Sequence, residues 1–452
     1  ECYPHLVDAV EDGAVAESTI DAAARRVLRQ KLEKGLLDDT GVDPEAVADA
    51  FGPDANRDTA RRLARESITL LENEGDVLPL STEASVAVVG PKADSPEGLL
   101  GDYAYAAHYP DADANRDVVT PRAAVEDRLG EDAVAYAEGC STTGPDTAEI
   151  DDAVAVASEA DVAIAFVGAR SAIALSDAEE DRARRPDLPT SGEGADVTDL
   201  GLPGVQQDLV EALEATDTPL VVVQISGKPH SIEWVAEHVP AVLHAWLPGE
   251  EGGNAIADVL FGEQSPSGRL PISIPKSVGQ LPVYYARRPN SRSERHVYAD
   301  SDPLYPFGHG LCYTEFEYGD VDLASEAVPT TGTIEATVTV ENVGDRSGVE
   351  VPQLYVHQRW PSQTRPVQEL RGFERVELDP GESATVTFEV ASAQLAVHDR
   401  DMDLVVEPGA YELRVGSSAA AIETTAGVEV VGDRRELPRS ARTFFTETTV
   451  EH

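Results

Sequence analysis

Positive charge is what this sequence has least of. Against 83 Asp and Glu stand 35 Lys and Arg, for a formal net charge of −48 and a pI near 4.3 over 452 residues. A field of that sign repels phosphodiester backbones and anionic lipid headgroups, so nucleic acid and membrane surfaces are excluded as main partners. The three cysteines, Cys2, Cys140 and Cys312, are far apart and lack CxxC spacing, which excludes a disulfide framework and a cysteine zinc site. His108, His230, His244, His309 and His357 show no ligand spacing either, so neither metal nor other cofactor is expected. No apolar run approaches the ~18–20 residues of a membrane-spanning helix. Methionine occurs once, at Met402. The chain is therefore expected to begin within a longer protein, with any export signal upstream, and its location stays open between cytoplasm and exterior.

Hydrophobic residues make up 41% of the chain, an ordinary fraction for a folded core. The length predicts two or three domains. The acids are spread along the chain rather than gathered in a tail, arginine far outnumbers lysine, and phenylalanine is scarce. A solvated acidic coat over a normal core is the pattern of a protein bathed in concentrated salt, which screens the self-repulsion.

Helical spacing of Ile20, Ala23, Ala24, Val27, Leu28 and Leu32, with Gly35 after them, predicts a helix over 18–35. A second is expected over 56–71. From Ser85 the pattern alternates between buried strands (Ser85–Gly90, Val134–Tyr136, Asp161–Gly168, Thr218–Ser226, Ala241–Leu247) and helices (Pro121–Leu129, Ile150–Ala160, Val205–Thr216, Ile232–Glu237, Gly253–Phe261). Apolar strands that do not alternate with polar residues imply a largely parallel sheet covered on both faces, with its ligand crevice at the strands' carboxyl ends. Residues 262–320 read as a wrapping connector. Beyond 327, clean alternation in Gly332–Asn342, Ser383–Val390 and Ala410–Gly416 predicts a β-sandwich of about seven short strands.

One loop stands out. Between the strand ending at Gly168 and the next helix lies a long polar excursion, Ala169–Leu200, with Arg170, Asp177, Glu179–Arg182, Arg184, Arg185 and then Thr190-Ser-Gly-Glu-Gly-Ala-Asp196. Such a loop at a strand's carboxyl end points to function. The Glu179–Asp181 run reads as solvated surface, but Glu193 sits between glycines that let its carboxyl approach a ligand. Gly249-Glu-Glu-Gly-Gly253 is a tight strand-to-helix turn, since two glutamates would repel phosphate. Gln224-Ile-Ser-Gly227 lacks the elbow of a serine hydrolase. Tyr103, Tyr105, Tyr284, Tyr285, Tyr298, Tyr305 and Tyr313 can stack on sugars, although packing between domains is the commoner use of such residues.

Taken in order, these segments resemble glycoside hydrolase family 3. The resemblance rests on Ile20-Asp21 through Arg25-Arg26 to Gly35-Leu36-Leu37-Asp38, Leu78-Pro79-Leu80, Gly101-Asp102-Tyr103, Ser191-Gly-Glu-Gly-Ala-Asp196 and Leu202-Pro203-Gly204-Val-Gln206. It continues through Leu247-Pro-Gly249, Pro266-Ser-Gly268-Arg269-Leu270-Pro271, Tyr305-Pro-Phe-Gly308-His-Gly310, Arg371-Gly372-Phe373 and Glu407-Pro408-Gly409. It implies an α/β chain: a largely parallel α/β sandwich domain followed by a fibronectin type III-like β-sandwich, preceded by the last helix of a (β/α)8 barrel. The implied boundaries are 1–40 barrel remnant, 41–80 linker, 81–287 α/β domain with the acid/base loop, 288–326 connector, 327–433 fibronectin type III-like domain and 434–452 tail.

The resemblance further implies an exo-acting retaining β-glycosidase, with Glu193 as general acid/base and loop Ala169–Asp196 against the substrate. The nucleophile would be a barrel aspartate outside this chain, so the polypeptide alone is expected to be inactive. β-Glucosidase is the first expectation, and β-xylosidase or α-L-arabinofuranosidase the second. Val197, Ala169 and Cys312 replace the arginine, glutamate and serine common in the family, which clouds the choice of sugar. A non-catalytic carbohydrate-binding or complementing subunit is the rival from another class. The partner in either case is a β-linked oligosaccharide or glycoside, and a homo-oligomer is compatible with it.

Overall fold

Val86–Val89, Val162–Gly168, Leu220–Ile225 and Ala241–Trp246 are nearly continuous apolar runs, stable as strands only where both faces are covered. A computed structural model describes residues 3–37, 46, 54–104, 118–171, 190–194, 196–289 and 301–452. The described residues fall into two units, Glu1–Arg57 and Asp58–His452. The first holds α1 (Leu6–Glu11) and α2 (Glu17–Glu33), the latter on the helix expected over 18–35; its Val27, Leu28 and Leu32 are exposed.

α3 (Asp54–Ser67) leads into the second unit, and here the expected helix over 56–71 is corrected. It stops at Ser67, and Thr69–Asn73 is strand β1. Ile68 and Thr69 are β-branched, and Ile68, Leu70 and Leu71 are fully buried, which a one-sided helix cannot provide. The stretch read as linker thus contributes a strand to the sheet.

The chain then alternates: β2 (Val86–Val89), α4 (Pro121–Leu129), β3 (Val134–Ala137), α5 (Ile150–Ser158), β4 (Val162–Gly168), α6 (Gln206–Glu214), β5 (Leu220–Ile225), α7 (Glu233–His238), β6 (Ala241–Trp246) and α8 (Gly252–Leu260). The sheet order is β1-β6-β5-β4-β2-β3, parallel throughout except for β1. Alternate residues serve opposite faces. Val86, Val88, Ile164, Phe166, Val221 and Val223 pack with α4 and α8, whereas Ala87, Val89, Ala163, Val167 and Val222 pack with α5, α6 and α7.

Gly268 and the stretch 309–311 line the open edge of β1. Gly268 and Leu311 donate their N–H groups to the carbonyls of Ile68 and Leu70, and His309 Nε2 bonds that of Leu71 at 3.0 Å. The edge is thereby closed to further pairing. Strands of 2–10 residues follow in a two-sheet sandwich, one sheet ordered β21 (Glu447–Glu451), β15 (Ser383–Ala391), β10 (Thr333–Asn342), β7 (Phe316–Tyr318), with β8 (Asp322–Leu323) beside β10, the other β13 (Glu369–Phe373), β12 (Gln353–Gln358), β18 (Gly409–Gly416), β19 (Ile422–Val431), β9 (Ala327–Pro329). The short strands β11 (Gly348–Glu350) and β14 (Val376–Leu378) pair with each other, and β16 (Val397–His398), β17 (Leu404–Val406) and β20 (Arg435–Glu436) form a third small sheet. The sandwich's long members are β10, β15 and β18, as the alternation predicts. Among the described residues the two sheets hold ten strands rather than about seven, because β7 and β8 come from the expected connector and β21 from the expected tail. β7 and β21 are half-exposed, with Phe316, Tyr318 and Val450 only partly buried against the core. Arg269 and Glu350, 9% and 6% exposed, pair across the two domains at 3.2 Å, and Tyr318 Oη donates to Glu350.

Among the buried charges, Asp258 of α8 is the most committed. Only 1% of its side chain is exposed; Arg61 of α3 meets it twice, at 2.6 and 2.8 Å, and Arg128 of α4 at 3.2 Å. Burial alone would raise its pKa; the hydrogen bonds and charge of Arg61 outweigh that and leave it below 3.8. Its stabilising contribution is therefore present above the ordinary carboxylate range and is lost as pH falls through it. Asp258→Ala is expected to lose about 3 kcal/mol in urea denaturation at neutral pH, since it removes the carboxylate that Arg61 meets twice, while Arg128 keeps Glu263 at 2.7 Å. A loss under about 1 kcal/mol would mean that desolvation cancels the pairing.

Candidate functional site

In space β2 lies between β3 and β4, although the chain visits β3 before β4. The crossover carrying α4 leaves β2 on one face, and that carrying α6 leaves β4 on the other. The loops beyond the carboxyl ends of β2 and β4 must therefore diverge, opening a crevice at this switch point. Two glycines make the approach there possible. A Cβ on Gly90 would lie 2.3 Å from the carbonyl oxygen of Phe166, and one on Gly168 2.1 Å from that of Ile225.

Both loops deliver polar groups to the same place. Asp102 and Tyr103 follow β2; Glu193 follows β4. Tyr103 Oη donates to Glu193 Oε2 at 2.8 Å, and the Glu193 N–H donates to Asp102 Oδ2 at 3.1 Å. Gly192 and Gly194 hold φ of +130° and +78°, so the two glycines flanking Glu193 are required by the backbone. The carboxyl is exposed. The Tyr103 phenol is raised above 10.0, first by its hydrogen bond to Glu193 and then by that group's charge.

The root of the loop is tightly held. Gly168 N–H donates to Gln206 Oε1 at 2.7 Å, while Gln206 Nε2 donates to Gly168 O at 2.9 Å and Thr142 O at 2.7 Å. Gln206 is fully buried, and sequence reading missed this role. The signal for it was a glutamine opening a helix whose next inward residues are Leu209, Val210 and Leu213. Ala169 is buried, its N–H on Ile225 O. Asp177, Glu179–Arg182, Arg184 and Arg185, like Tyr105, His108 and Tyr298, lie outside the described residues.

Other candidates take structural places. Ser226 is buried and bonded to His230, with no nucleophile elbow. Gly249 (φ +80°) opens the tight turn into α8, as expected. Tyr285 stacks on Phe307 at 4.2 Å, and Tyr305 is buried, so packing is the use of both. Among the described residues no group of three or more His, Cys, Asp or Glu could hold a metal ion, and no helix is long and apolar enough to cross a membrane.

A model of the glycosyl hydrolase family 3 C-terminal domain matches residues 68–313, and one of a fibronectin type III-like domain matches 350–419. The chain belongs to glycosyl hydrolase family 3. It is 35% identical over 456 residues to a periplasmic beta-glucosidase of Salmonella typhimurium, covering 93% of this chain and 56% of that protein. It is likewise 35% identical over 424 residues to a beta-xylosidase of Formosa agariphila, covering 92% and 56%. A solved beta-glucosidase of Listeria innocua in complex with laminaribiose superposes with a TM-score of 0.79 at 30% identity, covering 94% of this chain and 57% of that one. The chain thus spans little more than half the length of these relatives.

In this family 3 chain, two histidines lie buried, His230 in the segment after β5 and His244 within β6. Burial holds His230 neutral, lowering it to about 4, and His244 to about 3. Unfolding exposes both to ordinary titration near 6.5, so the unfolded chain binds more protons below that pH and stability falls between about 6.5 and 4. His230→Gln removes one of these titrations. In urea denaturation, the stability gap between wild type and variant is expected to narrow as pH drops from about 6.5 to about 4.5. A gap independent of pH would refute the assignment.

Proposed function

We propose that Glu193 is the general acid/base of an exo-acting retaining β-glycosidase, and that its partner, an aspartate nucleophile, lies on a barrel outside residues 1–452. The observation that supports this best is a carboxyl held by Tyr103 and a glycine-flanked backbone at the switch-point crevice. In the first step the nucleophile's carboxylate attacks C1, the C1–O bond to the leaving group breaks, and the proton of Glu193 passes to the departing oxygen. In the second, water attacks C1, the glycosyl ester breaks, and Glu193 takes the water's proton. With Tyr103 occupying Oε2, Oε1 is left to carry the proton.

β-Glucoside is the substrate we infer first, as in the Salmonella and Listeria proteins. The equal identity to a beta-xylosidase favours β-xyloside as the second reading.

The test uses the natural gene product that carries these residues. Glu193→Gln is expected to lower kcat/KM for an alkyl β-glucoside by about 10²-fold or more, and far less that for 2,4-dinitrophenyl β-glucoside, whose leaving group needs no proton in the first step. Equal losses on both substrates would sink the assignment. Relative kcat/KM on p-nitrophenyl β-glucoside and β-xyloside chooses the sugar. Residues 1–452 alone are expected not to turn over a chromogenic β-glucoside; turnover abolished by Glu193→Ala would place the nucleophile inside the chain. The acidic coat, in the same reading, suits concentrated salt. Melting temperature is expected to rise as KCl is raised to about 1–2 M, where repulsion is screened, and a flat response would count against it.

A further inference from the structure

The segment after β5, Ser226–Ser231, touches the Glu193 loop at both of its ends. On one side, Lys228 Nζ donates to the carbonyl of Thr190 at 2.9 Å. Thr190 itself closes the loop's neck. Its N–H donates to Arg170 O at 2.9 Å, Arg170 N–H donates to its Oγ1 at 3.2 Å, and Ser171 and Ser191 pair alongside. On the other side, His230 Nδ1 lies 3.2 Å from Leu200 O and 3.1 Å from Gly201 O. Both partners can only accept, so Nδ1 carries the hydrogen. Nε2 then accepts from Ser226 Oγ at 3.0 Å. The Ser231 N–H adds a second bond to Leu200 O at 2.8 Å.

Glu193 lies between these two anchors. Resting on the acid/base reading above, we propose that Lys228 is a positioning residue, and that Ser226–Ser231 is a clamp. Lys228 fixes the outgoing end of the Glu193 segment and His230 its return end, so that the carboxyl is presented at the crevice in one place. The chemistry suits the task. Thr190 is buried, and a lysine on a flexible stem can reach its carbonyl from the neighbouring strand's loop while its own stem stays partly buried. A buried neutral imidazole ties the two adjacent carbonyls together. Neither residue touches the carboxyl, so each acts through the loop's geometry.

The natural gene product is assayed with a poor leaving group (alkyl β-glucoside) and a good one (2,4-dinitrophenyl β-glucoside). Lys228→Met should lower kcat/KM on the first by about tenfold or more, since small displacements of a catalytic group are costly, and on the second by less than about threefold. Lys228→Arg should recover most of the loss. Uniform loss on both substrates, or no loss on either, overturns the clamp. Glu193→Gln run in parallel separates the two claims. If Glu193→Gln is selective and Lys228→Met is not, the clamp fails alone; if Glu193→Gln is not selective, the acid/base reading fails.

A second measurement needs no turnover. In hydrogen exchange on the 452-residue chain, Lys228→Met or Lys228→Gln should speed exchange in the peptide spanning Thr190–Gly194 and leave β4 and β5 unchanged. Unaltered protection of that peptide overturns the proposal.

Discussion

Everything at the candidate site depends on how closely β4 can approach its two neighbours at the carboxyl edge. Gly90 and Gly168 both hold left-handed φ, +103° and +138°, with the next strand's carbonyl where a side chain would begin. Any other residue there would push β2 from β4 or β4 from β5. The switch point would then widen, and the loops bearing Tyr103 and Glu193 would leave each other's reach. The reversal of strand order is a topological fact, but the glycines convert it into a crevice narrow enough for a tyrosine from one loop to hold a carboxylate from the other.

The framework behind this edge is stiff for separate reasons on each side. One face is braced by Asp258, whose carboxylate draws α3 and α4 onto α8. The outer strand β1 is sealed by Gly268, His309 and Leu311, and the neighbouring Arg269 is fixed to the sandwich by Glu350. A buried ion pair of that kind contributes little net stability. Its use here is orientation, because an unpaired arginine or glutamate at that depth would be costly and the two domains have one arrangement that avoids it.

Much of this was legible in the sequence, and the reasons differ by element. Buried parallel strands announce themselves as unbroken apolar runs, and β10, β15 and β18 by strict alternation, because packing on two faces or one dictates those patterns directly. β1 was misread because Ile68–Leu71 continues the apolar count of the preceding helix, and only the demand for burial on every side distinguishes it. β7 and β21 escaped notice because they are short edge strands whose Phe316, Tyr318 and Val450 are only partly buried against the core, a pattern too brief to read as alternation. Glu193 was conspicuous through its glycines. Its supports were not: Gln206 and His230 act on backbone carbonyls supplied by residues far away in the chain, and no spacing rule connects them.

That difference has a chemical basis. A general acid must be accessible to its substrate, so it cannot be fixed by burial, and its own side chain can carry few restraining contacts. Among the described residues, Glu193 has one such hydrogen bond, from Tyr103, itself exposed. Precision must then come from the backbone, and backbone is fixed by groups that can afford to be buried. Lys228 and His230 meet that requirement because both bond carbonyl oxygens, so the lysine stem stays partly buried and the imidazole stays neutral. Placing the restraint on the loop's two ends leaves the carboxyl free to exchange its proton while limiting where that exchange can occur.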